Sequence, residues 1–464
     1  MQNIDKTMDQ AKRIHMVGIG GSGMFPLAQI LHSKGYLLSG SDNNETDTLA
    51  RVREMGIPVF MGHAAENISG AEAVVHTAAV HADNAELAAA REAGIPTFER
   101  SELLGYLTRR YSDAVCVCGT HGKTTVTSML VQIFMTARMD PTAVIGGKLA
   151  AIDGSGRVGA GELMVCEACE FVDTFLKLSP DTCVLLNIDE DHLDYFKTLD
   201  NLIASFHRFC EMTTHRILFN GDDANTLRAL EGIGGKELVS FGFADTNDFY
   251  PTNIQTTTPD ASHIRRTTFT LMHRDAPVCE LSLRIPGRHN ILNAVAAAAT
   301  ALLEGAEPSA IREGLREFTG AGRRFEILGQ VGGVTIADDY AHHPAELEVT
   351  LRAAMEMGYR EVYAVFQPFT FSRTSILFED FVRVLSIPDH CILTPIMGSR
   401  EINTFGIHSE MLRDRIPGSV LRDTFEEVAR EALSRAGEGD LVITLGCGDI
   451  NKAAKLMLAQ GEKK

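Results

Sequence analysis

The sequence predicts an α/β fold of three domains in series, and three observations predict it. Short aliphatic runs alternate with helical stretches from residue 14 onward, the pattern of parallel sheets covered by helices. Two of those runs end in glycine turns that open a helix, "HMVGIGGSGM" at residues 15–24 and "VCGTHGKTT" at 117–125. The alternation also breaks twice: a helix leaves the first unit at "SELLGYLTRR", and the glycine-rich "FTGAGRRFEILG" precedes the last. The expected domains are residues 1–105, 106–322 and 323–464, because a chain of 464 residues is too long for one ordinary core.

Composition narrows the class. A hydrophobic content of 45% is that of a globular chain, and no run approaches the ~18 apolar residues of a membrane span, so no membrane insertion is expected. The opening "MQNIDKTMDQAKRIHMV" has no apolar signal core, and nine scattered cysteines form no disulfide framework. Both features predict reduced thiols and a cytoplasmic location. A net charge of −18 excludes a non-specific nucleic-acid surface but not anionic small ligands, which glycine loops and a few cations can hold locally.

In the first domain the runs "RIHMV", "YLLSGSD", "IPVFMG" and "AEAVVHTAAV" read as strands separated by helices. Gly18, Gly20 and Gly23 satisfy G-x-G-x-x-G after the first strand, and Asp42 ends the second. Backbone without side chains approaches a pyrophosphate closely, and the following helix N-terminus adds partial positive charge. The domain is therefore Rossmann-like. The loop, which also contains Gly21, Ser22 and Met24, does not name its nucleotide; an NAD-dependent oxidoreductase would explain it equally well.

The second domain opens on "AVCVCGTHGKTTVTSML", one step from the Walker pattern because Val117 stands where the first glycine would be. Gly119, Thr120, His121, Gly122 and Thr125 complete a P-loop-type cradle; Lys123 reaches the β/γ-phosphates and the Thr124 hydroxyl holds Mg²⁺. Downstream, "LMVCEACE" ends a strand at Glu167 and "LLNIDEDHLDYF" ends another at Asp189, Glu190, Asp191 and His192. Polar residues at the carboxyl ends of buried strands face the ligand crevice, so Glu167 and His192 join Thr124 as candidate metal ligands. The acidic run reads equally well as the solvated start of a helix. Cys166 and Cys169 have neither a second pair for zinc nor a thioredoxin-like context. The threonine-rich "FYPTNIQTTTPDASHIRRTTFTLM" reads as small antiparallel strands, and "NAVAAAATALLEG" as a buried helix. In the third domain "VTIADDYAH", "EVYAVFQP", "HCILTPI" and "DLVITLGCG" again alternate with helices, a second Rossmann-like arrangement.

Taken in order, "GTHGKTT", "CEACE", "LNIDEDHLD", "PGRHNILNA", "GRRFE" and "DDYAHHPAE" resemble the Mur ligases, the ATP-dependent carboxylate–amine ligases of peptidoglycan synthesis. The resemblance covers essentially the whole chain and is nearest the branch that uses UDP-N-acetylmuramate and L-alanine. It implies that the first loop (Gly18, Gly20, Gly21, Ser22, Gly23, Met24, Ser41 and Asp42) holds a UDP-sugar, and that ATP with Mg²⁺, or Mn²⁺ in its place, occupies the second. Lys123, His192 and Arg324 become the catalytic set, with Thr124, Glu167 and His192 on metal. His289, Asn290 and Asn293 lie about the adenine, Asp339 on the ribose, Arg324 on the γ-phosphate, and Tyr340, His342 and Arg373 by the amino acid. A monomer or homodimer is expected. Two positions depart from the family's text: "EACEF" stands where E-A-D-E-S is usual, and Phe369 and Thr370 stand where His and Arg are frequent. Within the family, a ligase that joins a preformed peptide to the same sugar nucleotide shares the first loop. An oxidoreductase leaves "GTHGKTT" and "HNILN" without a role. A catalytically dead ATP-binding subunit would not need the lysine, metal ligands and arginine together.

Overall fold

The computed structural model describes residues 3–81, 83–257, 266–399 and 401–461. Its strands form three sheets. The first has five parallel strands in the spatial order Val59–Met61, Leu37–Asp42, Arg13–Val17, Ala73–His76, Thr97–Glu99. The chain reverses its direction of travel at Arg13–Val17, so a crevice opens at that strand's carboxyl end, where the first glycine loop sits. Thr46 and Asn84 cap the N-termini of the helices Asp47–Glu54 and Ala85–Glu92 with their side chains, which fixes where each helix begins.

The second sheet has ten strands. Its centre is parallel, with Asp113–Cys118 between Thr182–Leu185 and Leu163–Glu167. All three central strands are almost wholly buried, which is why they read as unbroken apolar runs. The edge strand Gly154–Arg157 is antiparallel to Thr142–Leu149. The threonine-rich piece supplies the strands Phe249–Thr256 and Thr267–His273, inside the other edge strand Ala276–Leu283, with residues 258–265 of it outside the described residues. The third sheet has six strands, an antiparallel Glu326–Val331 beside five parallel ones in the order Val334–Asp339, Leu441–Leu445, Val362–Phe366, His390–Leu393, Val420–Leu421.

The chain packs into two compact units. One comprises residues up to 253 with 269–281 and 292–318; the other comprises 254–268, 282–291 and 319 onward. The first sheet and the parallel centre of the second thus share a unit. The helix Arg100–Thr108 contains the expected boundary at 105/106 and lies against the segment Phe171–Lys177, and Ser155 Oγ donates to the Ser22 carbonyl at 3.3 Å. All nine cysteines are free thiols. No helix among the described residues is long and apolar enough to cross a membrane.

Candidate active site

At the first loop, the Gly18 and Ile19 amides donate to the Ser41 carbonyl at 2.8 and 3.1 Å, and the Gly20 amide donates to Asp42 Oδ2 at 3.0 Å. Asp42 Oδ1 also accepts from the Asn44 amide at 3.0 Å. Asp42 therefore shapes the loop as well as ending the strand. The Met24 amide donates to the Gly21 carbonyl at 2.9 Å and leads into Phe25–Ser33, a helix with no side-chain cap. The Phe25 amide donates to the same Gly21 carbonyl at 3.0 Å and Pro26 has no N–H, so this first turn has few amides left to offer a phosphate. The Arg100 side chain lies along Gly23, a cation beside the loop that no spacing rule singles out.

Beneath this loop is a buried polar cluster that the sequence did not reveal. Glu86 accepts from Ser41 Oγ at 2.7 Å and Asn67 Nδ2 at 2.6 Å, and His63 Nδ1 lies 2.9 Å from it. His15 Nε2 is 3.5 Å away. Burial works to raise the Glu86 pKa, but the hydrogen bonds from His15, Asn67, Ser41 and His63 outweigh it and hold the carboxyl at about 2. Ser41, an expected ligand residue, faces this carboxylate.

The ATP loop follows Asp113–Cys118. Gly122 has a left-handed backbone (φ 88°), and a Cβ on it would stand 2.8 Å from Asn293 Oδ1. Only glycine fits there, and Asn293 is brought onto Gly122 from 171 residues downstream in sequence. Lys123 and Thr124 begin the helix Lys123–Thr136, with Thr125 half-buried beside them. Lys123 Nζ donates to the Gly119 and Thr120 carbonyls at 2.5 and 3.0 Å and to both Glu170 oxygens at 3.1 and 2.9 Å. Burial pulls the lysine's pKa down, but the charge and hydrogen bonds of Glu170 win and raise it, so the ammonium stays ionised. Glu170, the last residue of "CEACE", stands outside the sequence-derived site set, and the structure pairs it directly with Lys123.

Thr124 Oγ1 donates to Glu167 Oε2 at 3.1 Å, and the Gly146 amide donates to Glu167 Oε1 at 2.5 Å. A hydroxyl and a carboxylate that converge in this way suit a hard cation that keeps waters and phosphate oxygens as its remaining ligands. His121 is held by Asn187, whose Oδ1 accepts its amide at 2.8 Å and whose Nδ2 donates to its carbonyl at 3.0 Å. His192 has a left-handed backbone (φ 54°) at the start of Leu193–Phe196, and its ring meets that of Phe171 at 4.7 Å.

The other compact unit holds the remaining candidates. His289 and Asn290 begin the helix Arg288–Leu303; Asn290 is buried and donates to the Pro286 carbonyl at 2.6 Å. Tyr340 lies under two guanidinium groups, Arg323 at 5.0 Å and Arg324 at 5.5 Å. Arg324 also lies 3.9 Å from Glu346. Asp339 accepts from the Phe325 and Ala341 amides, each at 2.7 Å, and burial raises its pKa to about 6 against the pull of Arg324 and those amides. His342 Nδ1 is 3.1 Å from the Tyr340 carbonyl and 3.3 Å from Glu346, and its ring stands edge-on to Phe369 at 6.5 Å. Arg373, on the helix Phe371–Ile376, accepts from the Leu377 amide through its carbonyl, while its guanidinium makes no hydrogen bond or ion pair among the described residues and can meet a carboxylate. The structure thus gathers Gly18 to Asp42, Gly119 to Thr125, Glu167, His192 and Asn293 in one unit and His289, Asn290, Arg324, Asp339, Tyr340, His342 and Arg373 in the other.

Residues 13–112 match the Mur ligase family, catalytic domain; residues 117–301 match the Mur ligase middle domain; and residues 323–448 match the Mur ligase, glutamate ligase domain. The chain is 39% identical over 462 residues to the UDP-N-acetylmuramate–L-alanine ligase of Caldanaerobacter subterraneus subsp. tengcongensis, covering 98% of this chain and 99% of that protein. It is 40% identical to the ligase of the same name from Agathobacter rectalis, covering 94% and 95%. Among solved structures, the UDP-N-acetylmuramate–alanine ligase of Thermotoga maritima superposes with a TM-score of 0.82 at 27% identity, covering 97% of this chain and 99% of that one. A murein peptide ligase from Psychrobacter arcticus shares the fold, with a TM-score of 0.74 at 21% identity over 97% and 98%. With its phosphate loops, its lysine–glutamate pair and near end-to-end likeness to these enzymes, the chain belongs to the Mur ligases.

Proposed function

We propose that the protein joins L-alanine to the lactyl carboxylate of UDP-N-acetylmuramate at the expense of ATP, a step of peptidoglycan precursor synthesis. The observation that carries this reading is the ATP loop with Lys123, Thr124 and Glu167 in place, in a chain 38–40% identical over nearly its whole length to several ligases of that name.

A free carboxylate is a poor acyl donor. The substrate carboxylate attacks the γ-phosphate of ATP and forms an acyl-phosphate with release of ADP; the alanine amine then attacks the acyl carbon and expels phosphate. Lys123 offsets the repulsion between the anionic nucleophile and the anionic phosphoryl group. The Thr120 and His121 amides are held by Asn187, so the Gly122 amide and the first turn of the next helix would cradle the phosphates. Thr124 and Glu167 would hold Mg²⁺, with His192 beside the γ-phosphate; bound there, the cation neutralises charge developing on phosphate oxygens. His289, Asn290 and Asn293 would frame the adenine, Asp339 the ribose, and Arg324 the γ-phosphate. Arg373 would clamp the alanine carboxylate near Tyr340 and His342. Gly18 to Met24, with Ser41 and Asp42, would seat the UDP-sugar. Domain boundaries at 105/106 and 322/323 and a cytoplasmic location belong to the same reading.

Phosphate release from ATP, measured with UDP-N-acetylmuramate and each amino acid in turn, tests the reading. Turnover is expected with L-alanine and not without it. A tripeptide that outcompetes L-alanine would move the protein to the peptide-joining branch, and tight NAD binding that excludes the UDP-sugar would overturn the assignment of the first loop.

A further inference from the structure

We infer that Phe171 is a positioning residue for His192, held against it by a left-handed turn that Asp173 anchors. This rests on the reading that His192 holds a metal ion beside the γ-phosphate.

The segment after Glu170 has an unusual backbone. Val172 (φ 54°, ψ 32°) and Asp173 (φ 58°, ψ 24°) are consecutive left-handed residues, and neither is glycine. Left-handed backbone is disfavoured for any residue with a Cβ, and most of all for a β-branched one. The turn persists because both of its ends are fixed. At one end Glu170 is buried on Lys123. At the other Phe175 is buried, stacked on Phe209 at 4.7 Å and edge-on to Phe206 at 5.2 Å. The Asp173 amide donates to the Glu170 carbonyl at 2.9 Å, and the Asp173 carboxylate accepts from Ser205 Oγ, from the Tyr195 hydroxyl at 3.0 Å and from Arg208 at 3.3 Å.

Core burial does not explain this turn. Phe171 and Val172 remain 42% and 46% exposed. What the turn achieves is to bring the Phe171 ring to 4.7 Å from the His192 ring, at an interplanar angle of 53°. His192 is itself left-handed and begins the short helix Leu193–Phe196, which carries Tyr195. The Asp173–Tyr195 hydrogen bond therefore ties together the two backbone segments whose rings meet. Unfavourable backbone from both sides converges on one ring contact, the arrangement found where a functional group must be held in one pose. Groups packed behind a metal-binding histidine restrict its ring, and their loss weakens metal use.

The test compares Phe171→Ser, Phe171→Tyr and His192→Ala in the full chain. Histidine ring resonances of isotope-labelled, ligand-free protein report on ring contact, with His192 assigned by its disappearance in His192→Ala. Phe171→Ser is expected to shift the His192 resonance and to raise by about 10-fold the Mg²⁺ concentration needed for half-maximal phosphate release. The KM for UDP-N-acetylmuramate should stay unchanged. Phe171→Tyr should restore both the resonance and the Mg²⁺ requirement. Tyr195→Phe, which removes only the hydroxyl that bonds Asp173, should move both in the same direction by less. If Phe171→Ser leaves the resonance and the Mg²⁺ requirement as in wild type, the positioning role is wrong. If His192→Ala itself leaves the Mg²⁺ requirement unchanged, the metal reading of His192 falls, and the inference with it.

Discussion

Lys123 and Glu170 show how a charged side chain survives inside a loop that must bind a larger anion. The glutamate keeps the ammonium ionised before any phosphate arrives, and the Gly119 and Thr120 carbonyls aim it. Lys123→Ala should lower kcat by a factor corresponding to about 3 kcal/mol, by analogy with the loss of one oxyanion donor. UDP-sugar binding, read by calorimetry, should remain. The structure adds a second effect: Glu170 would be left buried and unpaired, so thermal stability should fall too. Changing Glu170→Gln in the same chain should recover stability but not turnover. Glu86 gives a pH-dependent counterpart. Its folded pKa of about 2 lies below the ordinary 4.5, so its stabilisation is present above about 4.5 and is lost as pH falls towards 2. The gap between wild type and Glu86→Gln in denaturant unfolding should be about 3 kcal/mol at pH 7, and should close across that window.

Among the elements, the helix Arg100–Thr108 does more than end a domain. A Cβ on Gly105 would stand 2.1 Å from the Lys177 carbonyl, so this face of the helix touches the segment that carries Phe171 and follows Glu170. Gly105→Ala must push helix and segment apart. Urea unfolding should show a loss of about 1–3 kcal/mol, the usual cost of overpacking, and the KM for ATP should rise because the Glu170 end of the segment moves. If stability falls while the KM for ATP stays constant, the segment is only a spacer. The strands were legible because aliphatic runs ending in glycine have few alternatives. The turn at Val172–Asp173 was not, because nothing in "EFVDTF" marks a left-handed pair.

For the whole molecule the telling measurement is amino-acid selectivity. The Arg373 guanidinium makes no hydrogen bond or ion pair among the described residues, and the Phe369 ring stands 6.5 Å from that of His342. Arg373→Lys should raise the KM for L-alanine and leave that for ATP nearly unchanged, since a lysine cannot reproduce a paired guanidinium contact. Glycine and L-serine should be poorer substrates by about 1–3 kcal/mol, the worth of one small group in a pocket. An effect of Arg373→Lys confined to ATP would show that the pocket has been misplaced.

By itself the sequence determined what depends on local order. The alternation of strands and helices, the two glycine loops and the cations and carboxylates at strand ends are all written in neighbouring residues, because turn geometry and periodicity act over a few positions. Tertiary structure alone decided the partnerships. Glu170 meets Lys123 across 47 residues, Glu86 meets Ser41 across 45, and Asn293 closes on Gly122 from far downstream. It also decided that the first sheet and the centre of the second share one compact unit. These pairings follow from which strands lie side by side, and strand order is set by how whole layers bury their apolar faces, which no short window of sequence encodes.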